Sequence, residues 1–135
     1  LLAIDLDCDR DALRFTVRQA EPGFCHEDTW TCWGPDRGLG RLTRRLAARV
    51  AEAPEGSYTR RLLEDPGLLR AKLLEEAGEL AEAEGVQEVA WEAADVMYFT
   101  LVAMARAGVS LDAVEAALDA RERSVTRRPG NAKQA

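Results

Sequence analysis

The spacing of apolar side chains changes character near residue 38. Upstream, Ala3-Ile-Asp-Leu-Asp7 and Leu13-Arg-Phe-Thr-Val17 alternate apolar and polar positions, which predicts two short strands. Gly34-Pro-Asp-Arg-Gly-Leu-Gly40 interrupts the pattern and marks a boundary. Beyond it the period is helical. Leu39, Leu42, Leu46 and Val50 predict a first helix to about Ala53, with Arg41, Arg44, Arg45 and Arg49 on a solvated face. Pro54-Glu-Gly-Ser-Tyr-Thr59 reads as a turn-rich loop and helix entry, capped by a serine or threonine. Asp65 as N-cap and Pro66 at the first helical position open a second long helix, which runs to about Glu84 and stops at Gly85. A third spans about Gln87 to Ala107, before Gly108. Ser110 caps a fourth, with Leu111, Val114 and Leu118 on its buried side. The expected fold is mainly all-α. A short β-containing segment, 1–38, precedes a four-helix bundle, 39–135.

The third long helix carries the main chemical signal. Val89, Ala93, Val96, Met97, Phe99, Leu101, Val102 and Met104 spread around its whole circumference, as in a buried helix. Three other short helices do not cover so many directions, so the pattern predicts a homodimer packed as a larger bundle. Glu92 and Asp95, spaced i, i+3, share a face of this apolar helix. Carboxylates in such a place cost several kcal/mol each unless compensated. Arg106 lies nearly four turns beyond Glu92, too far to neutralise it. The preceding helix offers Glu76 and Glu79, also i, i+3, whereas Glu75, Glu82 and Glu84 read as a solvated face. The pattern E-x-x-E-x12-E-x-x-D brings four carboxylates from two antiparallel helices together. Oxygen ligands of this kind suit Mg²⁺, often alongside substrate phosphates.

The first unit has its own candidate donors. Asp7, Asp9 and Asp11 alternate, so in extended chain they line one side, with Cys8 on the other. In a loop that geometry lapses. The cysteines Cys8, Cys25 and Cys32 are three, an odd number that makes a poor disulfide framework. They read either as a zinc site with one open position or as buried free thiols. The single histidine, His26, follows Cys25 directly.

With 47% hydrophobic and 31% charged residues the chain reads as soluble and globular. A net charge of -6 argues against a nucleic-acid backbone or an anionic membrane as partner. An acidic protein that handles phosphates then needs metal ions to bridge the repulsion. No apolar run approaches the roughly 20 residues of a membrane span. Leu1-Leu-Ala-Ile-Asp5 lacks the form of a signal peptide, so the cytoplasm is the expected location. The tail is basic, with Arg127, Arg128 and Lys133, and reads either as a terminus without fixed structure or as a clamp on an anionic ligand.

Glu76-x-x-Glu79 followed by Glu92-x-x-Asp95 resembles the metal signature of the all-α, MazG-like nucleotide pyrophosphohydrolases. Pro54-Glu-Gly-Ser-Tyr-Thr59, Lys72-x-x-Glu-Glu-Ala77, Glu92-Ala-Ala-Asp-x-x-Tyr98 and Gly108-Val-Ser-Leu111 are similar to the phosphoribosyl-ATP pyrophosphohydrolases of histidine biosynthesis. The likeness covers about residues 39 to 133. It implies a dimeric MazG-like bundle that hydrolyses phosphoribosyl-ATP to phosphoribosyl-AMP and pyrophosphate. Mg²⁺ is then held by Glu76, Glu79, Glu92 and Asp95, and Glu75 orients or deprotonates the water. Lys72 meets the phosphates, while Ser57, Tyr58, Thr59, Arg127 and Arg128 bind the phosphoribosyl part.

Asp7-Cys-Asp-Arg-Asp11, Cys25-His26 and Thr31-Cys32 resemble motifs from the C-terminal part of the phosphoribosyl-AMP cyclohydrolases. That likeness implies Mg²⁺ at Asp7, Asp9 and Asp11, and Zn²⁺ at Cys8, Cys25 and Cys32, completed across a dimer. The segment is far shorter than a whole cyclohydrolase domain, so this chain alone is not expected to catalyse that step. The tail and Thr31-Cys-Trp-Gly34 also resemble fungal-type trifunctional chains, in which a histidinol dehydrogenase follows. Two alternatives stay open: a pyrophosphohydrolase of ordinary nucleoside triphosphates, and a non-catalytic dimerisation module.

Overall fold

The computed structural model describes residues 1–34 and 36–122, and the chain divides into two compact units, Leu1–Arg37 and Gly38–Ala135. In the first, β1 (Ala3–Leu6) and β2 (Leu13–Thr16) pair antiparallel. Ile4 stands opposite Phe15 and Leu6 opposite Leu13, while Asp5 meets Arg14. Alternation therefore gives the ribbon an apolar face and a polar one. The Asp5–Arg14 pair closes at 3.0 Å but is solvated and contributes little. After the ribbon the chain turns back on itself. Gln19 Nε2 donates to the Trp30 carbonyl at 2.6 Å, and Gly23 lies against this contact with φ +115°. A Cβ at Gly23 would fall 2.6 Å from both Gln19 Nε2 and the Thr29 carbonyl oxygen, so only glycine fits. This turn encloses Cys25, which is buried.

The second unit holds α1 (Gly38–Glu52), α2 (Tyr58–Glu64), α3 (Pro66–Glu82), α4 (Val86–Ala107) and α5 (Leu111–Glu122). The four long helices expected from the periodicity are present. The added element is the seven-residue α2, which the sequence presents only as a helix entry. Ser57 caps it by accepting from the Arg60 N–H at 3.3 Å. Asp65 serves two helices at once. Its N–H donates to the Arg61 carbonyl at 2.8 Å, and its Oδ1 accepts from the N–H groups of Gly67 and Leu68, both at 2.9 Å. That junction satisfies orphan groups at the end of α2 and the start of α3. The short turn from Ala83 to Gly85 folds α4 back along α3 as a helical hairpin.

The core joins Leu46 of α1, Leu62 of α2 and Leu69 of α3 to Phe99, Leu101, Val102 and Met104 of α4. Leu111 and Val114 of α5 pack at its margin. Leu118, expected on the buried side of α5, is instead 55% exposed, because that helix reaches past the core. Helix α4 is likewise not buried along its whole length. From Phe99 onward it fills the core, whereas Val86, Val89, Trp91 and, at mid-helix, Met97 are exposed. Arg106, from the last turn of α4, donates to the Leu63 carbonyl at 3.1 Å and ties α4 to α2. Among the described residues no helix is long and apolar enough to cross a membrane.

Asp65→Ala removes both side-chain caps of α3. It is expected to lower stability by about 1 kcal/mol, read as a lower urea midpoint with an unchanged slope.

Candidate metal centre

The α3–α4 hairpin brings oxygens of Glu76, Glu79 and Glu92 within 4.8 Å of one another. Glu76 and Glu79 are one helical turn apart on α3, and Glu92 faces them from α4. Their burial differs. Glu76 is 6% exposed, Glu92 is half-buried and Glu79 is exposed. The strongly buried carboxylate thus stands on α3, not within the apolar run of α4. Asp95, one turn beyond Glu92, is exposed and outside the three-carboxylate group.

Glu76 is compensated from its own helix. Lys72 Nζ lies 2.7 Å from Glu76 Oε1 and 2.9 Å from Glu75 Oε1. The spacings are i, i+4 and i, i+3, so the helix itself sets the contact. The two carboxylates, Glu76 foremost, raise the Lys72 ammonium above its ordinary range. The same ammonium sits 5.5 Å from the centroid of the Phe99 ring, a cation–π distance. Glu79 is relieved only in small part by the more distant Lys72 charge. Partial desolvation, then the charges of Glu76 and Glu92, push its carboxyl above the usual value.

The hydroxyl-rich segment reaches this cluster through aromatic contacts. Tyr58 and Tyr98 both set ring edges against Phe99, with centroids 6.5 and 5.3 Å away. Thr59 Oγ1 and the Tyr98 hydroxyl share a hydrogen bond of 3.1 Å. Of the predicted substrate-binding trio, Ser57 is a helix cap, Thr59 is bonded to Tyr98, and Tyr58 keeps substantial exposed surface. Arg127 and Arg128 lie outside the described residues. Phe99, which lies under the Lys72 ammonium, and Tyr98, which packs on Phe99, stand out in the sequence only as core and motif positions. Aromatic residues next to the Glu92-x-x-Asp95 turn were the available signal.

The first unit holds two further groups of donors. Asp7, Asp9 and Asp11 lie in a bend after β1, not in extended chain, yet their carboxylates gather within 4.8 Å. Asp7 Oδ1 accepts from the Ala12 N–H at 3.1 Å, which lowers its carboxyl below the usual range. Cys25, His26 and Cys32 form the second group. The Thr29 hydroxyl, the Glu27 backbone and Cys32 lower the Cys25 thiol, while Cys25 raises Cys32. Cys8 is exposed and is not in this group. His26 is, and its position directly after Cys25 was the sequence signal.

Hard oxygen donors in the α3–α4 cluster fit a hard divalent cation, and the sulfur and imidazole donors fit zinc. Residues 39–122 match the family described as phosphoribosyl-ATP pyrophosphohydrolase, and residues 1–34 match phosphoribosyl-AMP cyclohydrolase. The chain is 52% identical over 135 residues to the histidine biosynthesis bifunctional protein his7 of Schizosaccharomyces pombe, covering 100% of this chain and 32% of that protein. It is 52% identical over 133 residues to the histidine biosynthesis trifunctional protein of Komagataella pastoris, covering 98% of this chain and 16% of that one. With the histidine biosynthesis bifunctional protein HisIE of Deinococcus radiodurans it shares 38% identity over 139 residues, covering 90% of this chain and 63% of that protein. The chain therefore spans about a third or less of the first two relatives and under two thirds of the third. By the match over its helical unit, this chain belongs to the phosphoribosyl-ATP pyrophosphohydrolase family, with a segment of the phosphoribosyl-AMP cyclohydrolase family ahead of it.

Proposed function

We propose that this chain hydrolyses phosphoribosyl-ATP to phosphoribosyl-AMP and pyrophosphate, in the cytoplasm, using Mg²⁺ held by Glu76, Glu79, Glu92 and Asp95. The observation that carries the reading is the convergence of three carboxylates within 4.8 Å inside the region matching the family. The metal, when bound, polarises phosphoryl oxygens, lowers the pKa of water and neutralises the departing pyrophosphate. Glu75 lies beside the cluster with its side chain 52% exposed, so its carboxylate can orient the attacking water even while it holds Lys72. Lys72 supplies a cation for the phosphates. Tyr58 and its neighbours Ser57 and Thr59, with Arg127 and Arg128 of the tail, bind the phosphoribosyl part. In this reading the helical domain is 39–135, and 1–38 is the cyclohydrolase-like part. There Asp7, Asp9 and Asp11 hold Mg²⁺, and Cys25 and Cys32 hold Zn²⁺ with Cys8 supplied by a second copy.

We assign the working unit as a homodimer. Val86, Val89, Trp91 and Met97 leave α4 with exposed apolar side chains from its start to its middle, and an isologous partner covers such a surface with its own copy.

A coupled pyrophosphate assay tests the activity. Release is expected from phosphoribosyl-ATP and not from plain ATP, and EDTA is expected to stop it. Release from ATP alone would instead make this a nucleoside triphosphate enzyme. Glu92→Gln and Asp95→Asn are each expected to lower kcat/KM by roughly two orders of magnitude or more, with the circular dichroism spectrum unchanged. Wild-type turnover in both variants would remove the metal assignment.

Glu79 gives a pH dependence with a defined sign. Its folded-state value is raised, so the stability linked to its protonated form is present below the ordinary glutamate range and is lost as pH rises through the folded value. Metal-free Glu79→Gln is therefore expected to melt above wild type at pH 8, with the gap closing towards pH 4 (roughly the ordinary glutamate value). Thermal scans in EDTA at the two pH values measure it.

Met97→Glu places a charge in the exposed apolar surface of α4. Sedimentation equilibrium at micromolar concentration is expected to give twice the mass of one chain for wild type, and one chain for the variant.

A further inference from the structure

We infer that Lys72 is a resident counter-cation that competes with the divalent ion for Glu76 and withdraws to Glu75 when that ion binds. The inference rests on the metal reading above and concerns how the site is held before metal arrives. Glu76 is the strongly buried carboxylate of the cluster, and Lys72 Nζ stands 2.7 Å from it. The seat of the ammonium is defined on three sides. Glu76 and Glu75 take it by hydrogen-bonded ion pairs, and the Phe99 ring lies 5.5 Å away. Phe99 is itself fixed by the edges of Tyr58 and Tyr98 and is 5% exposed.

The contacted carboxylate is also the one that gathers with Glu79 and Glu92. A divalent cation among those oxygens would stand close to a fixed positive charge, and repulsion in a partly desolvated site is strong. Glu75 provides the way out. Its side chain is 52% exposed, it lies one residue before Glu76, and it already holds the ammonium at 2.9 Å. The flexible four-carbon stem of lysine permits the short movement. Lys72 thus keeps the metal-free cluster folded and weakens metal binding by the same contact.

Isothermal titration of the full chain with Mg²⁺, for wild type and Lys72→Met, tests this. The variant is expected to bind Mg²⁺ roughly fivefold or more tightly, the lower end of a typical coupling between sites. Its unfolding midpoint in EDTA is expected to fall, and saturating Mg²⁺ to narrow that gap. Equal or weaker binding by the variant overturns the competition while leaving the metal assignment standing. No Mg²⁺ binding by wild type overturns both. Should Lys72→Met not fold without metal, the side-chain NMR signals of Lys72 in wild type give the answer. They are expected to shift as Mg²⁺ is added, and signals unmoved at saturation overturn the proposal.

Discussion

Glu76 places a negative charge beside an aromatic core, and the surrounding helical unit is arranged to make that burial tolerable. An isolated buried carboxylate costs several kcal/mol, so the position demands a cation and a rigid support for it. Lys72 provides the first from one turn away on the same helix. Phe99 provides the second, and it belongs at once to the core and to the site. The junction at Asp65 sets where α3 begins, and the turn at Gly85 sets how α4 returns. Between them these two local features decide that Glu76 and Glu79 face Glu92.

Sulfur and imidazole donors gather only in the first compact unit among the described residues, whereas carboxylates gather in both. The helical unit gathers carboxylates alone, while the first unit gathers carboxylates in the bend after β1 and, separately, sulfur and imidazole in a loop pinned by the Gln19–Trp30 contact. Helices suit the first task, because i, i+3 spacing stacks ligands on one face at fixed separation. The loop suits the second, because Cys25 and Cys32 stand with six residues between them and a turn there brings their sulfurs together. Gly23 makes the chain reversal around that turn possible where any side chain would collide.

Much of the fold was legible because its punctuation is local. Asp65-Pro66, Gly85 and Gly108 state helix starts and stops in residues whose backbone chemistry leaves few choices. Strand alternation gave β1 and β2 to within a residue at their C-terminal ends. Helix α2 was hidden because seven residues hold under two turns, too few for a period, although Ser57 signalled its start. The site was legible in its members and less so in its electrostatics. Glu76 sits in Glu-Glu-Ala-Gly-Glu, which resembles any solvated helix face, and its burial depends on what α4 brings across from it. The apolar run around Glu92 and Asp95 pointed to the opposite weighting. Exposure of Asp95 and burial of Glu76 follow from tertiary packing, which local spacing does not encode. The gathering of Asp7, Asp9 and Asp11 came by a bend and not by pleated alternation, so the right residues met for a different reason.

The division of α4 between two environments ties the proposed chemistry to concentration. Phe99, Leu101, Val102 and Met104 anchor one half in the protomer's own core, but Glu92 stands on the half that carries exposed Val86, Val89 and Trp91. A carboxylate mounted there takes its rigidity from whatever covers those side chains. In the dimer we propose, dilution then loosens one arm of the metal cluster before it unfolds the bundle. Specific activity would decay with dilution while helicity stayed constant, so enzyme concentration becomes a variable of the kinetics in its own right.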